Sequence, residues 1–146
     1  MIVYLDASAL VKRYIAEDGS PEVNALITQA DSTVTNLISR AEVAAAIMRA
    51  SRMEIINRED ALQAIKVFRS EWENLQRLPV TEATVARADS LIRNYDLRGY
   101  DAVHMAAALI WQEAIVETIT MATYDHNLWN VARKVGLDIW PNQLKS

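Results

Sequence analysis

The amino-acid sequence predicts an α/β fold with a short, mainly parallel central sheet of four or five strands, flanked by about seven helices. Two observations predict it. Short apolar or β-branched runs alternate with longer amphipathic segments along the chain, as in parallel strands joined by helical crossovers. Hydrophobic residues make up 51% of the sequence, whereas glycine and proline number three each, which is the composition of a helix-rich globule. The length of 146 residues and the lack of a linker predict a single domain at residues 1–146.

In the first half, the four apolar residues after Met1 predict a buried strand, and apolar positions on one side of the next segment predict an amphipathic helix. Pro21 fits the first turn of a second helix. Ser39 and Glu42 have the spacing of a capping box at the start of an alanine-rich helix. The predicted elements are strand 2–5, helix 8–16, helix 22–29, strand 32–36, helix 39–50 and helix 58–75.

In the second half, Pro79 suits an edge strand because proline cannot donate to a sheet ladder. Asp101 begins a helix rich in alanine, and Asp125 opens a helix that stops at Gly136, as expected for a C-terminal glycine. The predicted elements are strand 78–80, helix 81–95, helix 101–113, strand 118–123, helix 125–135 and strand 137–140.

Acidic residues occupy similar places along the predicted sheet. Asp6 follows the first strand, Asp125 follows the fourth, and Glu42 lies in the first turn of the helix after the second strand. Asp101 begins a helix whose composition indicates burial. Because parallel strands end at one edge of a sheet, we expect these four carboxylates to converge there.

Four converging carboxylates predict a hard divalent cation, because Mg²⁺ prefers oxygen ligands and carboxylates alone repel one another. Each acid taken singly also fits a structural role, since aspartate is a common helix N-cap and acids stabilise a first helical turn. Serine or threonine would cap a helix equally well, so an acid at all four positions favours the cation site.

Composition excludes several kinds of chemistry. The sequence has no cysteine, which excludes disulfides, thiol catalysis and a cysteine-ligated zinc site. Its two histidines, His104 and His126, are too few for a histidine metal cage. The first is expected in the core or beside a ligand, and the second at the rim of the site.

The net charge of −4 argues against a protein that binds nucleic acid non-specifically along its length. It does not argue against a nuclease whose acidic residues are neutralised by bound cations.

Nothing at the start of the sequence resembles a signal peptide, because Asp6 interrupts the apolar run. The longest apolar region, residues 102–121, contains charged side chains and does not suit a membrane span. We therefore expect a cytoplasmic protein without membrane association.

Four segments together resemble the PIN-domain ribonucleases and, within them, the VapC-type toxins of bacterial and archaeal toxin–antitoxin pairs. The segments are VYLDASAL at residues 3–10, SRAEV at 39–43, LRGYDAVH at 97–104 and ATYDHNL at 122–128. Each segment alone is a weak signal, but the four in this order in a chain of this length are specific. The resemblance covers nearly the whole chain and implies a PIN-like fold.

The resemblance also implies a set of site residues. Its acidic metal ligands, which bind Mg²⁺ with Mn²⁺ as a substitute, fall on the four acids described above, with supporting roles for Ser8 and Thr123. Many relatives have a further acid where this sequence has Asn127, and an amide brings no charge, so one ion is favoured over two. The implied catalytic and metal-binding residues are Asp6, Glu42, Asp101 and Asp125.

The activity implied is endonucleolytic cleavage of structured RNA, of the transfer or ribosomal RNA class, by attack of a water molecule on a phosphodiester with one or two metal ions assisting. The implied partners are a VapB-like antitoxin and, for a homodimer, a second copy of the chain. RNA contacts are expected from basic residues that flank the motifs, although a solvated surface role fits each of them equally well. These residues are Lys12, Arg13, Arg40 and Arg98.

Two other functions fit part of the sequence. A PIN-like scaffold would bind RNA or protein without cutting, and the complete set of four acids argues against it. A phosphatase of the haloacid-dehalogenase type would use Asp6 as a nucleophile, but it needs a second aspartate two residues later, where this sequence has Ser8.

Overall fold

The structure is a computed structural model and describes residues 1–145. Five strands form one sheet in the order β3-β2-β1-β4-β5, and every neighbouring pair is parallel. This arrangement confirms the predicted fold class. The strands are β1 (Ile2–Leu5), β2 (Ser32–Asn36), β3 (Gln76–Leu78), β4 (Ile119–Ala122) and β5 (Asp138–Trp140).

Seven α-helices connect and cover these strands within residues 1–145. A 3-10 turn, Val11–Arg13, follows the first of them. The helices are α1 (Ala7–Leu10), α2 (Ser20–Gln29), α3 (Ser39–Arg52), α4 (Arg58–Trp72), α5 (Glu82–Asn94), α6 (Gly99–Ile115) and α7 (His126–Lys134).

The central strand β1 divides the core into two parts. Val3 and Leu5 point into a cluster with residues of α1 to α4, and Tyr4 between them points into a cluster with residues of α5 to α7. This alternation is the normal two-residue period of a strand. Because both faces of β1 are covered, its C-terminal end is a rigid mount for the residue that follows, Asp6.

Three helix ends agree with their sequence signals. The carboxylate of Asp125 caps α7 by accepting a hydrogen bond from the backbone N–H of Leu128 at 2.8 Å. Gly136 lies just beyond the same helix with a φ of +91°, a conformation that favours glycine. Pro21 lies in the first turn of α2, also as predicted.

The predicted helix at residues 8–16 was too long. The α-helix ends at Leu10, and the chain continues as the 3-10 turn. The hydroxyl of Ser20 donates to the carbonyl of Ile15 at 2.9 Å and accepts from the N–H of Glu17 at 3.0 Å. A side chain that satisfies backbone groups in this way competes with helix continuation.

The predicted capping box of α3 is absent. Ile38 occupies the N-cap position, and the hydroxyl of Ser39 lies 2.7 Å from that of Thr35. The Glu42 carboxylate contacts His104 instead of its own helix start. These contacts with other elements outweigh a local pattern that is worth about 1 kcal/mol.

Several other boundaries differ from prediction by one to three residues, and two of them concern Pro79 and Asp101. The third strand ends at Leu78, because Pro79 has no N–H with which to extend the ladder. Helix α6 begins at Gly99 after an N-cap at Arg98, so Asp101 lies in its first turn and does not start it.

Phe68 packs α4 against the segment that follows the 3-10 turn, and Phe68→Ala is expected to destabilise the protein by about 3–5 kcal/mol. Its ring is 1% exposed, and its centroid lies 4.9 Å from that of Tyr14 and 5.4 Å from that of Trp72. Urea denaturation followed by circular dichroism measures the loss. The exposed Val67→Ala should change the free energy of unfolding by less than about 0.5 kcal/mol, and equal losses in both variants would contradict this packing role.

Candidate active site

The four predicted acids line one open cavity of about 830 Å³. Asp6 lies directly after β1, and Asp125 lies three residues after β4, at the same edge of the sheet. Glu42 reaches the cavity from α3, and Asp101 reaches it from α6. The structure therefore brings together the residues that the sequence predicted would converge.

Asp6 is the most buried of these acids, with 3% of its surface exposed. Its Oδ1 accepts hydrogen bonds from the Ser8 hydroxyl at 2.7 Å and the Ala9 N–H at 3.0 Å. Its Oδ2 accepts from the Thr123 hydroxyl at 2.6 Å. Burial raises the pKa of Asp6, and the nearby His104 and these hydrogen bonds counteract that rise only in part.

Ser8 and Thr123 join the ends of the two central strands. The Thr123 hydroxyl accepts from the N–H of Asp125 at 3.0 Å while it donates to Asp6. The Ser8 hydroxyl accepts from the N–H of Tyr124 at 2.9 Å. Both residues therefore contact acids of the cavity or the backbone next to them, and their supporting role in catalysis stays a prediction.

The guanidinium of Arg98 forms ion pairs with both Asp101 and Asp125. The Nε of Arg98 lies 3.1 Å from Oδ2 of Asp101, and its Nη2 lies 3.0 Å from Oδ2 of Asp125. Burial raises the pKa of Asp101, and the negative charge of Asp125 raises it further. Arg98 itself is 77% exposed. It lies at the mouth of the cavity and partly neutralises the two acids.

Glu42 contacts a buried histidine that the sequence had marked only as a core residue or one beside a ligand. Oε1 of Glu42 lies 2.6 Å from Nε2 of His104, and Nδ1 of His104 lies 2.7 Å from the hydroxyl oxygen of Tyr4. Tyr4 was predicted only as part of the buried first strand. Its one available signal was a hydroxyl in an otherwise apolar strand.

The donor set fits a hard divalent cation, because every acidic group in the cavity offers carboxylate oxygens. Burial, and after it the negative charge of Asp125, raise the pKa of Asp101, and a bound cation would favour the ionised form of both acids. Within residues 1–145, no three acidic or histidine side chains lie close enough to ligate one ion together. Arg98 donates hydrogen bonds to one oxygen of Asp101 and one oxygen of Asp125. His104 contacts one oxygen of Glu42. Metal ligation by the four acids stays a prediction.

The other predicted site residues lie outside the acidic cavity. Asn127 is exposed on α7. Lys12 donates to Glu17 at 3.1 Å and lies over the ring of Tyr124, and Arg13 forms an ion pair with Glu71 at 2.8 Å.

Arg40 lines a separate groove between α3 and α4. Arg49, which was not among the predicted site residues, lines the acidic cavity. It lies seven residues after Glu42, so the two residues share a face of α3, and this spacing could have revealed it.

No helix within the described chain is both long and apolar enough to cross a membrane.

Comparison with known proteins gives a consistent result. The PIN-domain family model matches residues 3–134. Ribonuclease VapC45 of Mycobacterium tuberculosis (strain CDC 1551 / Oshkosh) is 31% identical, with 98% of this chain and 97% of the relative covered. Ribonuclease VapC47 of the same strain is 30% identical, with 92% of this chain and 93% of the relative covered.

Solved structures agree at the level of the fold. FitAcB from Neisseria gonorrhoeae has a TM-score of 0.66 at 16% identity, covering 95% of this chain and 96% of that one. VapBC-5 of Mycobacterium tuberculosis, a member of the VapBC family of toxin–antitoxin systems, has a TM-score of 0.61 at 19% identity, covering 94% of this chain and 96% of that one. The family model, the relatives and the parallel sheet with its acidic edge lead to one conclusion: the chain belongs to the PIN-domain family and, within it, to the VapC-type ribonucleases.

Proposed function

We propose that this protein is a divalent-metal-dependent endoribonuclease that acts in the cytoplasm as the toxin of a toxin–antitoxin pair. The observation that carries the proposal is the convergence of four carboxylates, from two strand ends and two helices, on one open cavity. The relatives that match nearly the whole chain are named ribonucleases, which supports RNA as the substrate. In this proposal residues 1–146 function as one PIN domain, and the substrate is a structured RNA of the transfer or ribosomal class.

Asp6, Glu42, Asp101 and Asp125 would hold Mg²⁺ or Mn²⁺. When bound, such an ion neutralises developing phosphate charge and favours deprotonation of a water molecule. Asp6 contributes a charge whose position is fixed by three hydrogen bonds, so it does not reorganise during the reaction. Arg49 and Arg98 line the cavity and are suited to bind the RNA phosphates.

In the proposed reaction a water oxygen forms a bond to phosphorus while the bond from phosphorus to the 3′ oxygen breaks. The products are a 5′-phosphate and a 3′-hydroxyl. A covalent phosphoryl-aspartate on Asp6 is disfavoured, because a phosphatase of this kind would need a second aspartate as its acid at the position of Ser8. The Ser8 hydroxyl instead donates a hydrogen bond to the Asp6 carboxylate.

We also propose a VapB-like antitoxin as partner, with the toxin forming a homodimer or a hetero-oligomer with it. VapBC-5, which shares the fold, is described as a member of a toxin–antitoxin family. The contact of Arg98 with Asp101 and Asp125 supports the idea that a basic side chain of a partner would find suitable carboxylates here.

Asp101→Asn tests the proposal, and it is expected to reduce RNA cleavage by at least about 100-fold. Loss of groups that merely support a metal ligand costs about 10- to 100-fold, and this change removes a proposed ligand charge. The measurement is cleavage of total cellular RNA by the purified protein in Mg²⁺, with sequencing of the RNA ends. Asp96→Asn, at an exposed position outside the cavity, is the matched control.

Equal cleavage by Asp101→Asn and the parent protein at matched concentrations would contradict the proposal. A scaffold without nuclease activity would give a different pattern, because the parent would bind RNA or a partner protein and leave the RNA intact.

A further inference from the structure

A buried chain of hydrogen-bonding groups leads from the core to the acidic cavity. It runs from the hydroxyl of Tyr4 to Nδ1 of His104 at 2.7 Å, and from Nε2 of His104 to Oε1 of Glu42 at 2.6 Å. We propose that Tyr4 and His104 are positioning residues that hold the Glu42 carboxylate in the orientation that binds the divalent cation. This inference rests on the proposed function.

This hydrogen-bonded series is unusual because two of its three side chains are buried. Tyr4 is 0% exposed and His104 is 1% exposed, whereas the side chain of Glu42 is 26% exposed at the cavity. Buried polar groups are costly unless they are hydrogen-bonded, and residues 102–109 around His104 are otherwise alanine, valine, methionine and leucine. An apolar residue would fill the same space, so the polar pair calls for an explanation other than packing.

The chemistry of the three groups fixes the direction of the hydrogen bonds. An ionised carboxylate only accepts, so Nε2 of His104 must carry the hydrogen that faces Glu42. In a neutral imidazole Nδ1 then becomes the acceptor, and the phenol of Tyr4 donates to it. Glu42 therefore sets the tautomer of His104, and the hydrogen bond from Tyr4 to Nδ1 stabilises that tautomer and holds the ring in place. Removal of the Tyr4 hydroxyl is therefore expected to weaken the hold of His104 on Glu42.

The position of Glu42 explains why such support is useful. It extends from a helix and lies partly in solvent, and an unsupported glutamate side chain loses considerable conformational freedom when it is fixed. The contact with His104 uses only Oε1, which leaves Oε2 available to a cation. Groups that orient a carboxylate ligand in this way typically contribute 10- to 100-fold to metal affinity.

Tyr4→Phe tests the inference with the smallest possible change. We expect the variant to bind Mn²⁺ about 10- to 100-fold more weakly than the parent, as measured by isothermal titration calorimetry on the full chain. Tyr14→Phe is the matched control, because the Tyr14 hydroxyl donates to Glu71 at 2.8 Å on the other side of the sheet. This control should bind Mn²⁺ like the parent, and circular dichroism should show that both variants fold.

A second set of variants separates positioning from packing. His104→Gln retains a side-chain N–H for Glu42 and should keep most of the Mn²⁺ affinity, whereas His104→Leu should lose it. In the His104→Gln background, Tyr4→Phe should have little further effect, because the imidazole ring that the Tyr4 hydroxyl holds is gone. A double-mutant cycle measures this loss of coupling, and a purely structural role for Tyr4 would give additive effects. Because the cycle uses only Tyr4→Phe and His104→Gln, it still tests the positioning role if His104→Leu does not fold.

The outcomes distinguish this inference from the proposed function. If the parent binds Mn²⁺ and cleaves RNA but Tyr4→Phe binds Mn²⁺ as tightly as Tyr14→Phe does, the positioning role is overturned and the nuclease assignment stands. If the parent neither binds Mn²⁺ nor cleaves RNA, the proposed function fails and the positioning role fails with it.

Discussion

Asp6→Asn is expected to reduce RNA cleavage by at least about 100-fold and, in the metal-free protein, to raise the free energy of unfolding at neutral pH. The substitution removes the charge and keeps the shape. Ser8 and Ala9 can still donate to the amide oxygen, and the Thr123 hydroxyl can accept from the new N–H group. Activity is lost because the cation loses a ligand charge, while stability rises because a buried charge is gone.

The pH dependence of this stability gain follows from the raised pKa of Asp6, which burial causes. Between the ordinary aspartate pKa of about 3.9 and the folded-state pKa, the folded protein binds more protons than the unfolded chain. Stability therefore falls as the pH rises through this interval. The penalty is fully present above the folded-state pKa of Asp6 and absent below about pH 3.9, so the gain from Asp6→Asn should be largest near pH 7 and smallest near pH 4.

Thermal denaturation in chelator at several pH values, together with RNA cleavage in Mg²⁺, measures both effects. Asp138→Asn, at an exposed position on β5, is the control and should change neither property. A variant that cleaves as fast as the parent would remove Asp6 from the catalytic site. A stability gain that does not vary with pH would show that burial of its charge is not the cause.

Removal of divalent ions is expected to reduce cleavage to background, and Mg²⁺ or Mn²⁺ should restore it. Without an ion the cavity holds four acids, with Arg98 as a partial counterion to Asp101 and Asp125. The remaining negative charge repels the RNA phosphates. Dialysis against EDTA followed by addition of each ion, with RNA ends mapped at each step, makes the measurement.

A thermal shift provides a second readout that does not depend on activity. An ion at about 100 times its dissociation constant should stabilise the folded protein by about 2.7 kcal/mol, and Asp101→Asn should reduce this shift. EDTA already saturated with Mg²⁺ is the control for effects of the chelator itself. Cleavage that continues unchanged in metal-free buffer would contradict the proposed mechanism.

The sequence was sufficient for the parts of the site that depend on local patterns. Asp6 and Asp125 follow strands, and parallel strands end at a common edge, so their convergence was predictable from the order of the elements. The placements of Glu42 and Asp101 depend on how α3 and α6 lie against that edge. For these two residues, a position at a helix start near the edge allowed convergence, and the family resemblance then implied it.

Contacts between distant parts of the chain could not be predicted from spacing. His104 meets Glu42 across 62 positions and Tyr4 across 100, and these pairs form only when α6 packs on the sheet. The same cause produced the wrong capping box. Ser39 and Glu42 have the right spacing for local bonds, but Thr35 and His104 provide alternative partners once the chain is folded.

The position of Arg98 has a consequence for every cation that enters the cavity. Its guanidinium already contacts one oxygen of Asp101 and one of Asp125, so a metal ion or a partner's basic side chain that takes those oxygens must displace it. Binding at this mouth is then an exchange of one positive charge for another. Because Arg98 is 77% exposed, the displaced guanidinium can turn outward, where an approaching RNA backbone would meet it.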